Sequence, residues 1–292
     1  MLSLFRWLSH RPLWFLHAIG AALGWLTYWA SPTYRRRFNE NARQAGVAPQ
    51  ASRPAIAAAG RLVAELPLLW LRPATEPIRP RLEWEGRELI TSALGAGRGV
   101  VILTPHMGSF EVTAQAYAQV FAAEFGPITV LYRPARKPLL RELMDGSRAR
   151  PGVATAPATL AGVRQMIRAL RRGETVGLLP DQVPPEGMGV WVPFFGKPAY
   201  TMTLAARLVQ QTGAVLLVAW GERLPHGAGF AVRVSELGEA LPQQDPGQAE
   251  SAAVINRAME RLILQCPQQY LWGYNRYKTP RSAETTPGQT AD

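Results

Sequence analysis

Residues Val100–Glu111 read VVILTPHMGSFE, and this stretch decides the fold class. Four apolar, mostly β-branched residues, Val100–Leu103, form a short run bounded by Gly99 and Pro105, which is the signature of a buried strand. The period then changes, and Ser109–Glu124 reads as a helix. The pattern repeats along the chain. Ile128–Tyr132, Thr175–Pro180, Ala214–Trp220 and Phe230–Val234 read as strands. Helices are predicted over 33–46, 52–72, Leu160–Arg172, Thr203–Thr212 and Ala249–Gln265, with a Leu-rich basic helix ending near Arg148. Short apolar runs alternating with helices predict an α/β fold, a mostly parallel sheet flanked by helices. In such sheets, sites collect at the carboxyl ends of strands.

His106 stands at one such end, and Glu111 follows five residues later in the first turns of the next helix. This spacing lets a carboxylate fold back onto the imidazole, fix its tautomer and raise the basicity of the other nitrogen. A base so prepared can take the proton from an attacking hydroxyl, with no enzyme nucleophile needed. Alone the motif is weak: four His and 21 acids in 292 residues give a chance expectation of about 0.29 for such a pair. Gly108 serves a plain strand-to-helix turn equally well.

Pro12–Ala30 (PLWFLHAIGAALGWLTYWA) is 19 residues without Asp, Glu, Lys or Arg. As a helix it spans roughly 28 Å, close to a bilayer's hydrocarbon thickness. Trp14, Trp25, Tyr28 and Trp29 sit toward its ends, where amphipathic rings favour headgroups. A cleaved signal peptide lacks its small-residue site, and His17 with several Gly and Ala also fits a buried core helix. The expectation is a retained hydrophobic membrane-anchoring helix, spanning or interfacial. Arg35, Arg36, Arg37 and Arg43 follow it, against Arg6 and Arg11 before it, which places the body on the cytoplasmic side. The domain reading is an anchor over 1–31, a catalytic domain over 32–278 and a disordered tail over 279–292.

Net charge is +11, which asks for an anionic partner. Arg164, Arg168, Arg171 and Arg172 fall on one face of a predicted helix, suited to an acidic protein or membrane phosphates, or merely solvated. The single Cys266 excludes an intramolecular disulfide and a thiolate metal cluster. No G-x-S-x-G elbow is present, and Trp191 stands where a P-loop before Gly196-Lys197 needs Gly. A basic nucleic-acid or lipid binder satisfies the charge but gives no reason for His106 and Glu111 at a strand end.

Six segments in order carry a resemblance. RRRFNENARQAG (Arg35–Gly46) follows the hydrophobic N-terminus, and GRGVVILTPHMGSFE (Gly97–Glu111) holds the His-x4-acid motif. Then come LYRPARKPLL (Leu131–Leu140), PDQVPPEGMGVWVPFFGKPAYT (Pro180–Thr201), LVQQTGAVLL (Leu208–Leu217) and PQQYLWGYNRYK (Pro267–Lys278). Together they resemble the lipid A biosynthesis late acyltransferases, within the lysophospholipid acyltransferase superfamily. The resemblance implies acyl transfer from acyl carrier protein to a hydroxyl of a lipid A precursor, at the cytoplasmic face of the bacterial inner membrane. No cofactor, metal or nucleic acid is implied. It assigns His106 as general base, Glu111 as its partner, Arg133 as a basic site residue, and Asp181 and Gln182 as substrate-binding residues. Two departures stand out: Phe110 replaces the usual Trp, and Trp272–Arg276 replaces a commoner Leu-His-Arg-Arg pattern. The second leaves open a lysophospholipid or ornithine-type acceptor, with acyl-CoA as an alternative donor.

Overall fold

The computed structural model describes residues 2–73, 76–132 and 150–281. Arg133, the predicted helix ending near Arg148 and the tail beyond residue 281 lie outside the described residues. A seven-stranded sheet forms the centre. Its strands in chain order are β1 (Leu82–Glu85), β2 (Val100–Leu103), β3 (Ile128–Tyr132), β4 (Val153–Pro157), β5 (Thr175–Leu178), β8 (Val215–Arg223) and β9 (Phe230–Glu236). Their spatial order is β1-β9-β8-β2-β5-β3-β4. From β8 to β4 neighbours run parallel; β9 runs antiparallel to β8, and β1 parallel to β9. The expected mixed, mostly parallel α/β sheet is therefore present. β2 and β5 are buried at every position, which explains why they read as uninterrupted apolar runs.

Helices cover both faces. On one side lie α6 (Arg87–Gly95), α7 (Phe110–Val120) and the short α8 (Ala122–Phe125). The other carries α9 (Leu160–Arg171), α10 (Leu204–Thr212) and α11 (Ala249–Gln265). A separate hairpin, β6 (Gly189–Phe194) and β7 (Lys197–Met202), was not predicted. Phe195 and Gly196 form its two-residue turn with φ of 47° and 74°, the left-handed geometry that matches strand twist. β1, β4 and α6 were likewise missed: β1 and β4 are short strands at the sheet's edges, with half-exposed residues and little periodicity.

The N-terminal helices are α1 (Leu2–Ser9), α2 (Leu13–Ala30), α3 (Pro32–Gln44), α4 (Pro49–Ser52) and α5 (Pro54–Leu71). α2 lies along α5 and buries Leu13, Leu16, His17, Gly20 and Gly24. Glycine permits this approach: a Cβ on Gly60 would stand 1.9 Å from the Gly20 carbonyl oxygen, and one on Gly24 would stand 2.2 Å from that of Ile56. His17, read from sequence as weakening a spanning helix, is buried against Glu65 of α5 at 3.0 Å. The opposite side of α1 and α2 remains apolar and open, exposing Leu4, Trp7, Trp14, Leu23, Leu26 and Trp29. By length and composition the stretch capable of crossing a membrane, among the described residues, is Pro49–Leu71, and 61% of its apolar window is buried inside the protein.

Gly60→Ala is expected to destabilise the protein. Helix propensity favours Ala by about 1 kcal/mol, but the clash is with backbone that cannot swing aside, and overpacking costs about 1–3 kcal/mol. Thermal unfolding in detergent checks this. The midpoint falls for Gly60→Ala and is kept by Gly95→Ala, which meets open space; equal midpoints for the two variants would contradict the packing account.

Candidate active site

Parallel β2 and β5 pair Leu103 with Leu178, and His106 and Asp181 each follow three residues later. The register alone therefore delivers an imidazole and a carboxylate to the same point beyond the sheet's carboxyl edge. His106 Nδ1 donates to Asp181 Oδ1 at 2.6 Å, and the His106 backbone N–H donates to Oδ2 at 2.8 Å. Asp181 is only 2% exposed at its side chain, His106 17%. Burial pushes the Asp181 carboxyl up, but the charge and hydrogen bonds of His106, with Arg276 beyond them, outweigh it and hold the group below its ordinary range. An ionised carboxylate accepting at Nδ1 fixes the tautomer that leaves Nε2 with a free lone pair.

The bond to the imidazole expected of Glu111 is thus made by Asp181, which the sequence reading had placed on substrate. Glu111 sits in the first turn of α7, where its Oε2 accepts from Trp70 Nε1 at 3.3 Å, and it lines the same cavity as His106. Gln182 lines that cavity too. Arg133 lies outside the described residues. Phe194 and Phe195 belong to the hairpin and do not line the cavity; Phe194 is core. Tyr270 and Trp272 are buried. The Tyr270 hydroxyl also faces Asp181, and burial together with that carboxylate pushes the phenol well above its ordinary value.

The loop carrying His106 is strapped on several sides. Gly108 holds φ +57°, and a Cβ there would meet the Gly221 carbonyl oxygen at 2.0 Å, so the turn closes onto β8 only with glycine. Ser109 N–H donates to that same oxygen at 2.7 Å. The C-terminal segment crosses over the loop: Gly108 N–H donates to Gln269 O at 2.9 Å, and Leu271 N–H to His106 O at 3.2 Å. From below, Arg223 Nη2 donates to Gly108 O at 2.6 Å, while its guanidinium grips Glu65 through both carboxylate oxygens at 2.8 and 3.0 Å. His17, Glu65 and Arg223 gave no sequence signal, being far apart in the chain.

A cavity of about 680 Å³ opens from His106 into the protein between the sheet and helices α5 and α7. Its floor is the sheet face at Ile102, Ile128, Val130 and Gly177; its roof includes Leu62, Leu66, Trp70 and Tyr117. The walls are overwhelmingly apolar, and the volume falls within the roughly 300–1,000 Å³ of small-molecule sites. Such a space has the size and apolar lining to accommodate an alkyl chain, with His106 at its wall. Among the described residues, no group of three His, Cys, Asp or Glu is placed to hold a metal ion.

Residues 6–279 match the family described as bacterial lipid A biosynthesis acyltransferase. The chain is 29% identical over 195 residues to a lipid A biosynthesis lauroyltransferase of Escherichia coli (strain K12), a match covering 66% of this chain and 61% of that protein. It is 26% identical over 228 residues to a palmitoleoyltransferase of the same pathway and organism, covering 78% and 71%. A lipid A biosynthesis myristoyltransferase, again from that organism, is 24% identical over 222 residues, covering 74% and 65%. The chain thus spans about three-fifths of the lauroyltransferase's length.

Asp181→Asn keeps the shape and removes the charge that fixes the tautomer. Steady-state kinetics are expected to show kcat reduced about 10²–10⁴-fold with KM little changed. A smaller loss for Asp181→Asn than for Glu111→Gln would return the orienting role to Glu111.

Proposed function

The chain belongs to the bacterial lipid A biosynthesis acyltransferase family, and from that membership and the geometry around His106 we propose that it moves a fatty acyl chain from acyl carrier protein to a hydroxyl of a lipid A precursor. The observation that carries the reading is one imidazole, its Nδ1 bound to a buried carboxylate, standing at the head of a deep apolar cavity.

In the proposed reaction, His106 Nε2 takes the acceptor's hydroxyl proton as the oxygen attacks the thioester carbonyl carbon. Negative charge collects on the carbonyl oxygen, and the tetrahedral species collapses with cleavage of the C–S bond. The departing thiolate recovers the proton from the imidazolium, leaving an ester and a free thiol. Asp181 stabilises the transient imidazolium without itself gaining a proton. Glu111 is assigned to the cavity mouth, where it shares the cavity with His106; Arg133 is assigned to the developing oxyanion, a role for fixed positive charge. Gln182 is assigned to the acceptor.

Two surfaces support the partners. Arg164, Arg168 and Arg171 are exposed along α9, whose N-cap Thr159 and first residue Leu160 border the cavity, so an acidic carrier protein docked there delivers its thioester to the mouth. Arg172 is instead paired with Glu174 at 2.7 Å. The open apolar side of α1 and α2, with three exposed Trp, suits the headgroup boundary of a bilayer. Together with the arginines that follow α2, it favours the cytoplasmic face of the inner membrane.

The test is acyl transfer by membranes containing the protein, with acyl carrier protein thioesters and a tetra- or penta-acylated lipid A precursor, read by mass spectrometry. Wild type is expected to add one chain, and His106→Ala to lose at least ~100-fold. Activity surviving in the variant removes His106 from the mechanism. Transfer only to a lysophospholipid, or only from acyl-CoA, keeps the chemistry and discards the pathway or the donor.

Gly177 supplies a second test. It lies on the cavity floor, where an added Cβ would sit 3.2 Å from Val130 Cγ1 and 3.4 Å from Ile128 Cδ1. Gly177→Leu is expected to shift donor preference to shorter chains when thioesters of graded length compete. An unchanged preference would place the chain elsewhere.

A further inference from the structure

His106 borders two cavities. Besides the apolar one, a smaller space of about 260 Å³ lies between α3, α5 and the C-terminal segment, and His106, Asp181 and Gln182 belong to its wall. We propose that this second cavity is the acceptor subsite, that it receives a neutral alcohol, and that Tyr34 and Gly273 set its shape. This rests on the acyl-transfer reading above and assigns the half of the reaction which the apolar cavity leaves unplaced.

The chemistry requires two molecules at one nitrogen. The carbonyl carbon and the attacking hydroxyl must both come within reach of His106 Nε2, and His106 is shared by the walls of both cavities. The smaller cavity meets this need. Its walls are the rings of Tyr34, Tyr270 and Tyr274 with the amide of Gln182, surfaces that combine flat apolar faces with hydrogen-bonding edges. Its volume is just below the range for whole small-molecule ligands, so it admits the hydroxyl-bearing end of a lipid and not its body.

Among the described residues, no Lys or Arg lines it. The nearest cation of the segment, Arg276, is buried and turned to other partners, donating to Tyr200 O and Thr201 Oγ1, both at 2.7 Å. Among the described residues a phosphate would meet the tyrosine hydroxyls, the Gln182 amide and the Asp181 carboxylate, whereas phosphate sites are built from cations. These described walls fit an uncharged alcohol, on a sugar ring or on a hydroxyacyl chain.

Shape comes from an unusual contact. A Cβ on Gly273 would stand 2.0 Å from Tyr34 Cε2 and 2.6 Å from Cδ2, so the Tyr34 ring lies where any larger residue at 273 would project. Asn41, two turns after Tyr34 on α3, fixes the same turn by donating to Trp272 O at 2.7 Å and Tyr274 O at 2.8 Å.

Steady-state transfer with the full-length protein tests the assignment, varying a tetra-acylated lipid A precursor and an acyl carrier protein thioester in turn. Tyr34→Ala removes the ring without adding bulk, and Gly273→Ala pushes the ring from its seat. Each is expected to raise the acceptor KM about tenfold while the donor KM and preferred chain length stay within about twofold. The double variant is expected to be no worse than Gly273→Ala alone, since the ring that clashes is gone. Tandem mass spectrometry of the product locates the new ester on a sugar oxygen or a chain oxygen. Should the donor KM rise instead, or neither constant move, the second cavity is not the acceptor subsite, even though wild type transfers. Should wild type transfer to no lipid acceptor, the acyl-transfer reading itself fails first. If Gly273→Ala does not fold, Tyr34→Ala decides alone.

Discussion

Two adjacent parallel strands that end level with each other are the constraint on which the site depends. Because β2 and β5 pair Leu103 with Leu178, the third residue beyond each pair must meet its counterpart, and these residues are His106 and Asp181. A carboxylate 2% exposed is costly to ionise alone. Beside an imidazole and a backbone N–H it stays ionised, and the imidazole in turn acquires a fixed tautomer. One piece of sheet register therefore accounts for the burial of the carboxylate, the orientation of the imidazole and the direction of the free nitrogen.

The rest of the molecule holds that register in place. Arg223 on β8 joins Glu65 on α5 to the carbonyl of Gly108, two residues past His106, and His17 on α2 completes the cluster. Removing one partner from such a buried pair strands a charge and costs about 3–5 kcal/mol, so the cluster acts as a unit. The helix whose outer side is proposed to meet the membrane is thereby hydrogen-bonded, through two side chains, to the loop that carries the proposed base. The C-terminal segment closes the opposite side, and Gln269 exchanges two bonds with the backbone of Arg223 at 2.9 and 3.1 Å. The open apolar side of α1 and α2, His106 and the second cavity are parts of one packed body.

Much of this was legible in the sequence, for identifiable reasons. β2, β3 and β5 announce themselves as apolar runs because both faces of the sheet are covered, and His106 follows directly from its place after β2. What the chain could not disclose is spatial order. That β5 lies beside β2 follows from a crossover through β3 and β4, so the pairing of His106 with Asp181, 75 residues away, is invisible where Glu111 at five residues is conspicuous. Long-range charge pairs such as Glu65 with Arg223, 158 residues apart, are hidden for the same reason. The hairpin β6–β7 escaped because its turn is Phe195-Gly196, where Asn-Gly or Asp-Gly would have signalled it. Gly273 carries no periodic signal, and its role is visible only once Tyr34 is seen against it.

The most direct test of the central claim is the tautomer of His106 itself. Nitrogen NMR of the protein labelled at histidine, at mildly alkaline pH and with the His106 signals assigned by their loss in His106→Gln, reads which ring nitrogen carries the proton. The account predicts a protonated Nδ1 engaged in a strong hydrogen bond and an unprotonated Nε2. A proton resident on Nε2, with Nδ1 bare, would contradict it, because the nitrogen facing the substrates could not then accept the hydroxyl proton.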